Sequence, residues 1–299
     1  MNLCKSEFLP IFEAKGIYKY DLSTVYSAYQ HQSSSFQPEK LKSYRLRIII
    51  REGLLLYAVL GEDDTIFAVK EYRSKKEMSF PDFFDAIYAQ DYFLKEDFRD
   101  IEIVNCSLEF SLIPTAFFKP QQIHEFAGAL IKGDYSADHV DFLELEPAGA
   151  TAIYTVPFPM KQKCDYYFPD SAYQPICKLM INMALDMAKV YPDLVLLHIF
   201  EGQFIITACR AGKLQICNAY DYTEVTDMVY FMQLVMEIVK LDADKTPILL
   251  SGEFEDDSEL VKKFKQYVPS ANIPKYSFQD RFDTKSDKLP SWKYAFMTW

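Results

Sequence analysis

Between Leu194 and Gly252 the chain passes through three apolar runs, one long amphipathic stretch and a fourth apolar run. Leu194-Val195-Leu196-Leu197 and Phe204-Ile205-Ile206 flank Glu201-Gly202, and Leu214-Gln215-Ile216-Cys217 follows Ala211-Gly212-Lys213. Short apolar runs parted by glycine turns read as strands joined in hairpins, because glycine takes the positive φ of a tight turn. From Thr223 to Leu241, residues Val225, Met228, Val229, Met232, Val235, Ile238 and Val239 recur at helical spacing. That is the pattern of a helix laid over a sheet. Pro247-Ile248-Leu249-Leu250 then forms a strand that ends at Ser251-Gly252-Glu253.

The same order of elements occurs in weaker form from Tyr44 to Val104. Tyr44 to Arg51 alternates, with Arg45, Arg47 and Arg51 on one face and Leu46, Ile48 and Ile50 on the other. Glu52-Gly53 turns the chain into Leu54–Leu60, and Gly61-Glu62-Asp63-Asp64 turns it into Thr65–Tyr72. A helix follows over Ser79–Asp91, with Ser79 as its N-cap, and a strand over Asp100–Val104. Gly53 and Gly202 hold equivalent places about 150 residues apart, too long a period for a solenoid and the mark of a duplicated α/β domain.

The expected organisation is an N-terminal arm and linker over 1–40, a first half over 41–135, a second half over 136–270 and an aromatic C-terminal tail over 271–299. Gln30-His31-Gln32-Ser33-Ser34-Ser35 reads as a polar linker. Phe110–Pro114 is expected as the fifth strand of the first half, Gln121–Ile131 as its second helix and Gly133–Asp138 as the boundary. In the second half Ala150–Val156 reads as a strand and Pro175–Val190 as a helix. Pro157, Pro159 and Pro169 serve as punctuation. Ser258–Tyr267 is expected as the last helix. In the tail, Trp292, Tyr294 and Phe296 alternate, which suits a strand added to a sheet edge or residues packed on their own domain.

The 299 residues carry a formal net charge of −11. This acidity disfavours binding to nucleic-acid backbones or anionic membranes. No apolar run approaches the roughly 18 residues of a membrane span, and the first residues lack a signal-peptide core. The expectation is a cytoplasmic protein that neither inserts in a membrane nor binds nucleic acid. The six cysteines include no Cys-x-x-Cys pair and read as buried thiols, with Cys209 and Cys217 in neighbouring strands. The four histidines lack metal-ligand spacing, and His198 reads as a packed strand residue.

Three blocks resemble signatures of a bacterial family, domain of unknown function 3822, grouped with the actin-like ATPase fold. They are Phe110-Ser111-Leu112-Ile113-Pro114-Thr115-Ala116-Phe117-Phe118; Asn218-Ala219-Tyr220-Asp221-Tyr222 with Asp227 and Tyr230-Phe231; and Pro247-Ile248-Leu249-Leu250-Ser251-Gly252-Glu253 with Asp257-Ser258. The resemblance spans residues 41–270. It implies two ribonuclease-H-like halves, each a mixed five-stranded sheet with flanking helices, around a cleft. It brings no established activity.

Actin-like ATPases hold phosphates with one hairpin turn from each half, usually an Asp, a Gly two residues later, and a nearby Ser or Thr. The matching turns here are Arg51-Glu52-Gly53-Leu54-Leu55 and Phe200-Glu201-Gly202-Gln203-Phe204. Arg51 and Phe200 stand where the metal-organising Asp belongs. Glu52 and Glu201 fall one place off, towards the other face of the strand. The nucleoside turn matches Ser251-Gly252-Glu253, with one Gly in place of two. The resemblance therefore assigns Gly53, Gly202, Ser251, Gly252 and Glu253 to a nucleotide, with ATP and Mg²⁺ as the cofactor such a site would take. It assigns no catalytic or metal-ligating residue.

The expected function is a non-catalytic scaffold or protein-interaction module with a degenerate nucleotide site. Its partner is another protein, and its oligomeric state is left open. Two alternatives stand beside it: an Mg-ATP-dependent ATPase or kinase-like enzyme using Glu52, Glu201 or Asp227, and a small-molecule sensor built on the cleft. Glu253, Glu255, Asp256, Asp257 and Glu259 read as a solvated loop and helix start. The face of Arg45, Arg47 and Arg51 reads as solvated or internally paired.

Overall fold

A computed structural model describes residues 25–75, 77–131, 138–284 and 289–299. Most of the expected arm, and the expected boundary at Gly133–Asp138 apart from Asp138, lie outside those residues.

Strands are numbered in chain order. The first sheet runs β1 (Val25–Gln32), β4 (Ile66–Ser74), β3 (Leu54–Leu60), β2 (Arg45–Arg51), β5 (Asp100–Asn105), β9 (Ala172–Pro175). The second runs β12 (Lys213–Asp221), β11 (Gln203–Arg210), β10 (Leu194–Ile199), β13 (Ile248–Gly252), β14 (Ala271–Asn272). Each contains an antiparallel three-strand meander followed by two parallel strands, and the first adds β1, antiparallel to β4, as a sixth strand beyond the expected five. The duplication read from the two Glu-Gly turns is thus present in the topology. A third sheet, β6 (Phe110–Pro114), β8 (Ala150–Val156), β7 (His139–Leu145), is antiparallel.

The helices are α1 (Phe80–Gln90), α2 (Ile123–Leu130), α3 (Phe158–Tyr167), α4 (Ile176–Met187), α5 (Val225–Val239), α6 (Glu259–Tyr267), α7 (Lys275–Gln279) and α8 (Ser291–Tyr294). The Ser79 and Ser258 side chains cap α1 and α6. On the second sheet Phe204 and Tyr220 meet Phe231 of α5. Thr207 and Cys217 have the opposite parity and face Cys177 of α4. Covered on both faces, β10 and β13 are buried throughout and carry almost unbroken apolar runs. The two larger sheets share one continuous hydrophobic core, and Ile113, Ala127, Ile131 and Ile153 form a satellite core beneath the third.

Four expectations are corrected. Phe110–Pro114 does not join the first sheet: it pairs with Ala150–Val156 in the third, and Ala172–Pro175 supplies the fifth strand of the first-sheet plan. Strand order depends on which edges meet in space, and local apolar runs carry no such address. Gln30-His31-Gln32 is not linker but the end of β1, paired with Lys70, Val69 and Ala68. An edge strand is held by backbone hydrogen bonds and needs few apolar side chains. The helix α3 lies where prolines read as punctuation, because Pro159 sits in the first helical turn, where a missing N–H is tolerated. The segment around Trp292 is helical, α8 followed by a 3₁₀ turn over Ala295–Thr298, and packs within its own chain. Burial on all sides leaves it no amphipathic period to read.

Leu196 sits fully buried at the centre of β10, between β11 and β13. Leu196→Ala is expected to lose about 2–5 kcal/mol in urea unfolding. Leu234→Ala, on the exposed face of α5, is expected to lose less than about 0.5 kcal/mol.

Candidate functional site

The two hairpin turns approach each other between the first and second sheets. At each tip a glycine takes a positive φ, +67° at Gly53 and +74° at Gly202, and a Cβ on either would meet nothing within 4 Å. These glycines are demanded by turn geometry. Glu52 and Glu201 are exposed at the tips.

Arg51 and Phe200, each two residues before a hairpin glycine, touch one another. The guanidinium carbon lies 5.6 Å from the ring centroid, within cation–π range. Arg51 Nη2 also donates to Glu253 Oε2 at 2.6 Å, and Arg73 Nη2 donates to the same oxygen at 3.0 Å. Arg73 Nε donates to Glu71 Oε1 at 2.6 Å. Glu71 Oε2 accepts from Tyr294 Oη at 2.7 Å and lies 2.8 Å from Lys293 Nζ. The charges alternate from Arg51 through Glu253, Arg73 and Glu71 to Lys293. They join β2 and β4 to the loop after β13 and to the C-terminal segment. Burial alone would raise the Glu71 carboxyl. Hydrogen bonds from Lys293, Tyr294 and Arg73, with the Lys293 charge, outweigh it and hold that carboxyl below the usual carboxylate range.

His198 forms the floor. Its Nδ1 lies 2.8 Å from Ser251 Oγ, and its ring packs edge-on to Phe200 and Phe296, with centroids at 4.8 and 4.6 Å. Its Nε2 meets no hydrogen-bond partner among the described residues. The space left here, lined by His198, Phe200, Glu253, Cys106, Lys293 and Phe296 among others, is about 10 Å³, room for one water. Burial and the nearby Arg51 charge push the imidazole down to about 3. Burial pushes the Cys106 thiol up to about 12.

Of the assigned residues after β13, Glu253 meets Arg51, Ser251 meets His198 and Gly252 lies against Ile199, whereas Glu52 and Glu201 are exposed to solvent. Gly252 has φ +115°, and a Cβ there would stand 2.2 Å from the Ile199 carbonyl oxygen. That close approach lets the Glu253 amide donate to the Ile199 carbonyl at 2.7 Å. The first sheet repeats this bond: the Cys106 amide donates to the Ile50 carbonyl at 3.1 Å. Asp227 is occupied in the capping box of α5, accepting from the Thr223 and Glu224 amides. Arg45 pairs with Asp64 and Glu102, and Arg47 with Glu102 and the Met297 carbonyl. In the acidic loop Asp256 pairs with Lys275. Among the described residues, no group of three His, Cys, Asp or Glu is placed to hold a metal ion, five cysteines are free buried thiols, and no helix is long and apolar enough to cross a membrane. Glu71, Arg73 and Lys293 were not singled out from sequence, and Tyr294 was read only as one of the alternating aromatic residues of the tail. The available signal was Glu71 and Arg73 two apart, on the same face of β4 as Phe67 and Val69.

Two ribonuclease-H-like sheets with facing hairpins define an actin-like ATPase fold. The protein from Bacteroides thetaiotaomicron with that fold and unknown function superposes with a TM-score of 0.72 at 14% identity, covering 81% of this chain and 95% of that one. The PilM–PilN type IV pilus biogenesis complex gives a TM-score of 0.59 at 10% identity, covering 86% and 96%. No curated protein matches the sequence. Residues 33–271 match the family model described as "Protein of unknown function (DUF3822)", and the chain belongs to that family.

Gly252→Ala is expected to cost more than about 3 kcal/mol or to abolish soluble expression, because backbone must move. Gly53→Ala and Gly202→Ala should each cost only about 1–2 kcal/mol, the left-handed penalty alone. Denaturant unfolding of the three variants checks the ranking. His198 supplies a pH test. The folded state refuses a proton that the unfolded chain accepts near 6.5. Stability from this group is therefore full above that value and falls as pH drops towards 3, by up to about 1.4 kcal/mol per pH unit. Unfolding free energies measured from neutral to mildly acidic pH should fall less steeply in His198→Gln than in the native chain.

Proposed function

We propose that this chain is a non-catalytic member of the actin-like fold, a scaffold that binds another protein and does not turn over a nucleotide. One observation carries the reading: the two places where phosphate-loop acids belong hold Arg51 and Phe200, already engaged with each other and with Glu253. Phosphoryl transfer depends on carboxylates that organise a metal and on backbone amides free to meet phosphate. Here a carboxylate, two guanidinium groups and two aromatic rings occupy that space. The void of about 10 Å³ compares with the roughly 300 Å³ or more of a small-molecule pocket. This disfavours a metabolite sensor in the closed arrangement. A protein partner is supported by the likeness to a structure that is itself a complex, PilM–PilN. Of the assigned residues, Ser251, Gly252 and Glu253 act in this reading as structural groups that keep the closed contact.

Calorimetry with ATP and Mg²⁺ is expected to give no binding heat, and thermal melting no shift. Cross-linking followed by affinity capture is expected to recover a protein bound to the full chain. ATP hydrolysis that disappears on changing Glu52 or Glu201 would overturn the proposal.

A further inference from the structure

The C-terminal segment lies beyond the family-matched residues 33–271. After β14 the chain returns to the first sheet, where the Ile66 amide donates to the Arg281 carbonyl at 2.8 Å and the Asp283 amide donates to the Ile66 carbonyl at 3.1 Å. The last stretch then crosses between the sheets. Trp292 Nε1 donates to the Phe254 carbonyl just beyond β13, at 2.9 Å. Tyr294 stacks on Tyr29 of β1, with ring centroids 4.8 Å apart, and donates to Glu71 of β4. Phe296 packs on His198 of β10, and the Met297 carbonyl accepts from Arg47 of β2. Asn182 Nδ2 of α4 donates to the Trp299 carbonyl at 3.0 Å, and Trp299 Nε1 donates to Asp186 at 3.0 Å.

We infer that Leu289–Trp299 is an intramolecular strap that holds the two sheets closed over the hairpin site, and that its release opens the cleft. The inference goes beyond the scaffold reading and stands whether or not a partner binds. Two features mark the segment as a strap. Beside its buried Leu289, Phe296 and Met297 it carries polar anchors on both sides, Glu71 and Arg47 in the first sheet and Asn182 and Asp186 in α4 against the second, and these can be rehydrated when the segment leaves. The hairpins meet through Arg51 and Phe200, and Arg51 reaches Glu253 beyond β13, while Lys293 and Phe296 supply part of the wall that closes the remaining space. Without the segment, Glu71 keeps one of its three donors, Arg73.

The test uses the full chain with spin labels on Glu52→Cys and Glu201→Cys, both exposed turn tips, with Cys4→Ser. The five described native cysteines are buried. Pulsed dipolar spectroscopy of this chain is expected to give one narrow distance distribution. Adding Lys293→Met with Tyr294→Phe, or Trp292→Ala, is expected to broaden it and lengthen the mean by several ångströms, with circular dichroism unchanged. The double variant keeps ring and side-chain volume, and decides the matter if Trp292→Ala fails to fold. An unchanged distribution in a folded double variant overturns the inference. Loss of folding in both variants also overturns it, because the segment is then part of the core.

Discussion

One carboxylate, Glu253, joins the two sheets. It receives Arg51 from β2 and Arg73 from β4 on the same oxygen while its own backbone extends β13 of the other sheet. A half-buried carboxylate of this kind is stabilised by such partners, and it in turn neutralises both guanidinium groups. Arg73 continues to Glu71, and Glu71 to Lys293 and Tyr294. Sheet, hairpin and C-terminal segment are thus coupled through a chain of charges in which Glu253, Arg73 and Glu71 each serve more than one partner.

That carboxylate is placed by backbone geometry common to both halves. Beyond β13 the chain bends over Ile199, and beyond β5 over Ile50, with the same amide-to-carbonyl bond in each. Duplication has kept this bond and both hairpin glycines. It has not kept the side chains, since Glu253 in one half faces Cys106 in the other. The second half needs Gly252 because the two backbones nearly touch, while Asn105 fills the equivalent first-half position and turns its side chain to the Thr155 carbonyl of the third sheet.

The sheet plan was legible because its cause is local. Apolar runs of strand length, glycine turns, and a helix with one apolar face declare themselves over ten or twenty residues. His198 as a packed strand residue and Ser79 as a cap were legible for the same reason, whereas the face of Arg45 and Arg47 read as either solvated or internally paired and only the structure shows it paired. What failed to read was long-range: Ala172–Pro175 completing a sheet begun at Arg45, Phe110–Pro114 leaving it, and a tail whose residues are buried on every side.

The sequence by itself determined the duplicated hairpin plan and the absence of a carboxylate two residues before each hairpin glycine, since both are matters of residue identity at a fixed offset from a turn. Only the tertiary structure decided what took that place. Arg51, Phe200, Glu253, Glu71 and Lys293 come from positions as far apart as residues 51 and 293, and no periodicity links them. Their pairing follows from the packing of the two sheets, which sets each charge beside opposite charges that satisfy it.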